Sequence, residues 1–248
     1  MALDPKLLHT LNPPQREAVT HGEGPLLILA GAGSGKTRVI TYRIAHLLSE
    51  GVPAWNILAV TFTNKAAAEM RHRVDELGGG TGRGVWISTF HSFCAQFLRV
   101  EAKTIGLDPH YVIYDDGDQT QVLKEVLREL KLDEKKYKPN QVLNVISRVK
   151  DDLLDADSYA IHAMAQNDPF RQVVATLYTH YQKKMNKANA LDFDDLIMRT
   201  TTALRDNAAL RAKYQSRFRH VMVDEYQDTN HAQYLLAKHL VAPPKNLC

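Results

Sequence analysis

The chain has 248 residues, 44% hydrophobic and 24% charged, with a formal net charge of +3. That composition fits a soluble globular protein of one or two domains, and its mild positive charge permits a nucleic-acid partner without requiring one. Two cysteines, Cys94 and Cys248, argue against a disulfide scaffold or cysteine-rich metal site and fit a reducing cytoplasm; the eleven histidines lack metal-ligand spacing, and no signal peptide or membrane-length apolar run is read.

The first element is a short helix. Asn12-Pro13-Pro14-Gln15 reads as a cap with prolines opening a helix that carries Arg16, Glu17, Ala18 and Val19. Behind Pro25, the apolar run Leu26–Ala30 predicts a strand covered on both faces. Val39, Ile40, Ile44, Leu47 and Leu48 then recur at helical spacing until Gly51 and Pro53. The intervening AGAGSGKT is a strand-to-helix turn built for a phosphate. Its glycines let the backbone N–H groups of the Gly31-Ala32-Gly33-Ser34-Gly35 stretch close around an anion, and the new helix adds its positive end. Lys36 can reach the β and γ phosphates, and the Thr37 hydroxyl can ligate Mg²⁺. Ala30 stands where the general pattern has glycine; being small, and closing the strand rather than cradling phosphate, it is tolerated.

A second strand is expected over Ile57–Phe62, and a helix from Asn64 that Gly78, Gly79 and Gly80 break. Val85–Ser88 predicts a third strand, leading into a helix from Thr89 to about Thr104. Strands alternating with helices predict an α/β fold with a parallel, doubly wound sheet. From Gly106 to about Ala190 the pattern is a succession of amphipathic helices without a convincing strand, read as an all-helical subdomain inserted into the α/β unit. Helices over Phe193–Asp206 and Ala208–Phe218 bring the chain back to a buried strand, His220–Val223. Asp224 and Glu225 follow. Two adjacent carboxylates at a strand's carboxyl end are costly without a nearby cation. A Mg²⁺ on a triphosphate supplies that charge, with Asp224 holding the metal and Glu225 orienting and deprotonating the attacking water. An acidic turn capping the helix that Thr229 begins is the plainer reading, and pairing with the phosphate loop favours hydrolysis.

In order, LNPPQREAV (11–19), AGAGSGKTRVI (30–40), VTFTNKAAAEMR (60–71), STFHSF (88–93), LDFDDL (191–196) and VDEYQDTN (223–230) resemble the UvrD/Rep/PcrA-type superfamily 1 DNA helicases. The resemblance implies a P-loop NTPase, RecA-like motor domain over 1–105 and 191–248, with residues 106–190 as its inserted helical subdomain. It implies that Gln15 reads adenine, Arg38 forms one face of an adenine sandwich, and Gln227 senses the γ-phosphate beside Lys36 and Glu225. It also implies ATP and Mg²⁺ as cofactors, and single-stranded DNA and single/double-strand junctions as partners. For DNA, Phe62 offers a stacking face, while Thr63, Asn64, Thr89 and His91 offer phosphate and sugar hydrogen bonds. Lys65, Arg71 and Arg73 add charge, although Glu69 stands four residues from both Lys65 and Arg73 and can pair with either.

The chain stops at Lys245-Asn246-Leu247-Cys248, which reads as the opening of another strand. The family's second motor domain and its arginine fingers are not found in these residues. The expectation is an amino-terminal part of a longer 3′-to-5′ helicase, cytoplasmic and monomeric, with very slow hydrolysis on its own. Two alternatives stand: a nucleotide- or DNA-binding module without motor activity, and the helicase subunit of a helicase–nuclease complex.

Overall fold

The structure, a computed structural model, describes residues 8–31, 33–80 and 82–248. Two compact units divide them. The first comprises the described residues up to Phe93 together with Leu204–Thr229 and Tyr234–Cys248; the second comprises Cys94–Ala203 and Asn230–Gln233. The stretch 106–190 lies within the second unit.

The first unit is built on a parallel three-stranded sheet. Its helices α1 (Pro13–Thr20), α2 (Lys36–Ser49) and α3 (Asn64–Leu77) alternate with strands β1 (Ile57–Thr61) and β2 (Trp86–Thr89). Strand β5 (His220–Val223) completes the sheet in the order β2-β1-β5. Val60 stands opposite Ser88 and Val223, and Thr61 opposite Thr89, so the three carboxyl ends open on one edge. All five residues of β1 are buried, as a central parallel strand requires. Ile40, Ile44 and Leu47 of α2 and Ala67, Met70 and Val74 of α3 pack with Ile57, Ala59, Ile87 and Met222. A second apolar group joins Leu11, Ala18 and Val19 of the α1 segment to Val39 of α2. Trp86, Phe93 and Phe218 stack edge to face at centroid distances of 5.5–6.0 Å.

Element ends follow local chemistry. Asn12 and Gln15 form a reciprocal capping box on α1. The Thr63 hydroxyl accepts from the Ala66 N–H and starts α3, which ends at Gly78. One expected strand is not formed: Leu26–Ala30 is irregular, with Leu27 68% and Leu29 87% exposed. The reason is pairing. Residues 246–248 run parallel to β5, and the Leu26 N–H donates to the Leu247 carbonyl at 2.8 Å. Beyond Leu26 the segment borders a cavity of about 620 Å³ rather than a neighbouring strand, and an apolar run without a ladder partner does not make a strand.

The second unit is mainly helical. It contains most of α4 (Phe90–Val100), then α5 (Ala102–Ile105), α6 (Asp116–Glu129), α7 (Pro139–Asp151), α8 (Ala156–Ala165) and α9 (Pro169–Lys187). It also contains most of α10 (Phe193–Asp206). The single helix expected over 89–104 is interrupted at Glu101, and Gly106, at φ 69°, stops α5. The region also holds a strand pair that the amphipathic pattern concealed: β3 (Val112–Ile113) beside β4 (Ala190–Leu191). Its core gathers Leu123, Val126, Val142, Ile146, Val174, Tyr178 and Tyr181. Within it the Lys150 ammonium, fully buried, sits 2.5 Å from Asp192 and 2.9 Å from Asp195. The Tyr181 hydroxyl donates to Asp192. Helix α11 (Ala208–Arg217) belongs to the first unit, and α12 (His231–Leu240) begins in the second and ends in the first.

Candidate nucleotide site

Gly35, at φ 90°, caps α2 in a left-handed conformation that glycine adopts without strain. The Ser34 N–H and hydroxyl both bond the Gly31 carbonyl, curling the loop before it. Ala32 lies outside the described residues. The turn delivers Lys36 and Thr37 to the first turn of α2, whose positive end faces the same space.

Far along the chain, β5 delivers the acidic pair to the same place. The Asp224 N–H donates to Val60, holding the end of β5 against β1. Thr37 Oγ1 donates to Asp224 Oδ2 at 3.2 Å, and Lys36 Nζ lies 3.4 Å from Glu225 Oε2. Asp224 is 4% exposed, and burial pushes its carboxyl above the ordinary range, with Glu225 adding to the rise and the Thr37 bond opposing it. Glu225 goes the other way. A hydrogen bond from the Gln227 amide, followed by the Lys36 charge, holds its carboxyl down. Glu225 also takes up a left-handed backbone, φ 51° and ψ 46°, unusual for a side chain with a Cβ. Tyr226–Asp228 then form a short 3₁₀ turn.

The donor set fits Mg²⁺. A threonine hydroxyl and a carboxylate are hard oxygen ligands, and a buried carboxyl whose ionised form is disfavoured gains from a divalent cation. Among the described residues no group of three His, Cys, Asp or Glu side chains competes for a metal. The cavity bounded by Pro25–Leu29, Lys36, Ile40, Val223–Gln227 and Leu247–Cys248 adjoins these groups.

Gln15 and Arg38 flank the loop. Gln15 Oε1 accepts from the Asn12 N–H, and Nε2 donates to the Ser34 carbonyl at 3.0 Å. Arg38 donates to the carbonyl and hydroxyl of Thr10 and lies 5.1 Å from the Tyr42 ring centroid. Tyr42 and Thr10 were not singled out by the sequence, since nothing local marks a tyrosine four residues past Arg38 as its partner.

The candidate DNA residues share the rim. Phe62 is half-buried against Phe90, with ring centroids 5.6 Å apart. Thr63, Asn64 and Lys65 are exposed at the start of α3, and His91 is half-buried at the start of α4. Thr89 is different: it is buried, and its hydroxyl accepts from the Ser92 N–H. Arg71 turns inward to the Ile87 carbonyl, and Arg73 pairs with Glu69 on the helix surface.

The sequence profile of the UvrD/REP helicase N-terminal domain matches residues 11–248. The chain is 49% identical over 252 residues to a protein of Mycobacterium tuberculosis named ATP-dependent DNA helicase UvrD1, covering 98% of the chain and 33% of that relative. It is 48% identical to the Bacillus subtilis protein named ATP-dependent DNA helicase PcrA, again over 98% of the chain and 33% of the relative. The chain thus spans about a third of the length of these curated relatives.

Proposed function

Because the chain belongs to the UvrD/REP helicase family through its N-terminal domain, we propose that it is the ATP- and DNA-binding part of an ATP-dependent 3′-to-5′ DNA helicase. In this reading residues 1–105 and 191–248 form the motor domain, and 106–190 its inserted helical subdomain. The observation that carries the proposal is the meeting of Lys36 and Thr37 with Asp224 and Glu225, within 3.4 Å across most of the sequence.

Each side chain takes a role its surroundings support. The loop N–H groups and Lys36 bind the β and γ phosphates. Thr37 and Asp224 would hold Mg²⁺, which when bound neutralises charge developing on the phosphates. Glu225 orients the attacking water and takes its proton. The Gln227 hydrogen bond and, after it, the paired Lys36 hold the Glu225 carboxyl down, so a triphosphate that draws Lys36 away removes one of the two influences that depress its basicity. Gln227, bonded to Glu225, takes the role of sensing the γ-phosphate. Gln15 reads adenine, and Arg38, steadied by Thr10 and Tyr42, offers its guanidinium plane to the base.

On the DNA side, Phe62 supplies a stacking face, and Thr63, Asn64, Lys65 and His91 supply sugar and phosphate contacts. Thr89 serves the same rim by capping α4, since its hydroxyl faces Ser92. Single strands and their junctions with duplex are the proposed substrates. The test is ATP turnover by the protein in its full length, with and without single-stranded DNA. The DNA is expected to stimulate turnover, and Lys36→Ala to abolish it. Turnover that ignores the DNA, or survives Lys36→Ala, overturns the proposal.

A further inference from the structure

Arg43 is a cation where the helical pattern calls for a core residue. It lies on α2, is 2% exposed, and makes no ion pair among the described residues. Its acceptors are backbone carbonyls at the end of α1. One terminal nitrogen donates to Ala18, Val19 and His21 at 3.1, 3.3 and 2.6 Å, and the other donates to Gly22 at 3.2 Å. The Ala18 and Val19 carbonyls are among the orphans a helix leaves in its last turn, His21 is the C-cap and Gly22 follows it, and α1 has no basic residue of its own in its last turn. Arg43 thus satisfies them from the neighbouring helix and sets a full charge against the negative end of the dipole.

The other end of α1 carries Gln15. The Gln15 amide nitrogen reaches the Ser34 carbonyl and stands 3.3 Å from where a Cβ on Gly35 would be, pressed against the phosphate loop. Ahead of the cap, Arg38 holds Thr10. Helix α2 therefore grips the α1 segment at both ends, with one arginine each. An eight-residue helix is a stiff lever about 12 Å long. Releasing its C-terminal end lets its N-terminal end shift over the loop.

We infer that Arg43 is a positioning residue for base selection: by clamping the end of α1 to α2, it sets Gln15 at the height at which an adenine edge is recognised. The inference rests on the reading of Gln15 as the adenine reader. Arg43 is buried with both terminal nitrogens committed to carbonyls at the end of α1, so its effect falls on the choice of base and not on the grip of the phosphates.

The test compares affinities of the 248-residue chain for Mg·ATP, Mg·GTP and tripolyphosphate, by competition against a fluorescent ATP analogue. The native chain is expected to prefer ATP over GTP. Arg43→Met is expected to erode that preference by about tenfold, the scale of one bidentate amide–adenine pair, while tripolyphosphate affinity stays within about twofold. Arg43→Lys keeps the charge but not the fork, so it falls between the two and carries the readout if Arg43→Met does not fold. Gln15→Ala separates the inference from its premise. If Gln15→Ala removes the ATP preference while both Arg43 variants retain it, the inference is overturned and the base reader stands. If Gln15→Ala leaves the preference intact, both fall. Equal loss of all three ligands in the Arg43 variants also overturns it, because that marks a general structural role.

Discussion

Burial pushes the Asp224 carboxyl up while the Gln227 amide and the Lys36 ammonium hold that of Glu225 down, although the two residues are neighbours in the chain. The difference comes from β5: its last hydrogen bond turns Asp224 inward, and the left-handed backbone at Glu225 turns the next side chain out toward Lys36. Because the folded Asp224 carboxyl titrates above its unfolded value, its ionised form costs stability at neutral pH. That cost fades as pH falls through the folded pKa toward the unfolded one. Asp224→Asn is therefore expected to raise the melting temperature of the ligand-free chain by a few degrees at pH 7.5, and by less at pH 4.5. It should weaken Mg²⁺-dependent ATP binding at the same time. Thermal scans at the two pH values check the first expectation; a pH-independent change, or a fall, counts against it.

Among the elements, the Lys150 cluster ties together α7, α9 and the start of α10 through one buried cation. Removing one partner of a buried pair leaves the others uncompensated, so Lys150→Met is expected to destabilise by about 3–5 kcal/mol in urea unfolding. A loss below about 1 kcal/mol would show that Asp192 and Asp195 relax or take up a proton at little cost. This cluster was hidden in the sequence. Lys150 lies in ISRVKDD, where a lysine between charged residues reads as solvent-facing, and its partners arrive some forty residues later in LDFDDL. Elements with local punctuation were legible. The start of α3 is written in Thr63 and its stop in Gly78, and His220–Val223 is apolar on both faces with Asp224 closing it. Leu26–Ala30 failed for the opposite reason: its composition is that of a strand, but a strand exists only with a neighbour. The Lys36–Glu225 meeting was inferable from the expectation that both motifs follow strands of one parallel sheet, although only Asp224 and Glu225 follow a strand that forms, whereas Arg43's grip on α1 depends on packing angle, which spacing does not encode.

At the scale of the molecule, parallel pairing is what gathers the chemistry. The register that sets Thr61 beside Thr89 and Val60 beside Val223 carries Phe62, Thr63 and Asn64, the first turn of α4, and the acidic pair to one edge of the first unit. If single-stranded DNA lies along that rim, Phe62→Ala is expected to weaken its binding by about 1–3 kcal/mol, the value of one base–aromatic stack. Affinity should also fall steeply as salt rises, because phosphate contacts release counterions. Fluorescence anisotropy with a labelled oligonucleotide reads both, and unchanged affinity in the variant would remove Phe62 from the interface. The same pairing bears on how the protein is made. Strand β1 is synthesised early, but its partner β5 follows the whole of Cys94–Ala203. On the ribosome, the helical segment therefore emerges with its own core in hand, while the five residues of β1, four of them apolar, wait for a late arrival. That interval leaves one edge of β1 unpaired, the kind of exposed edge through which nascent chains associate wrongly.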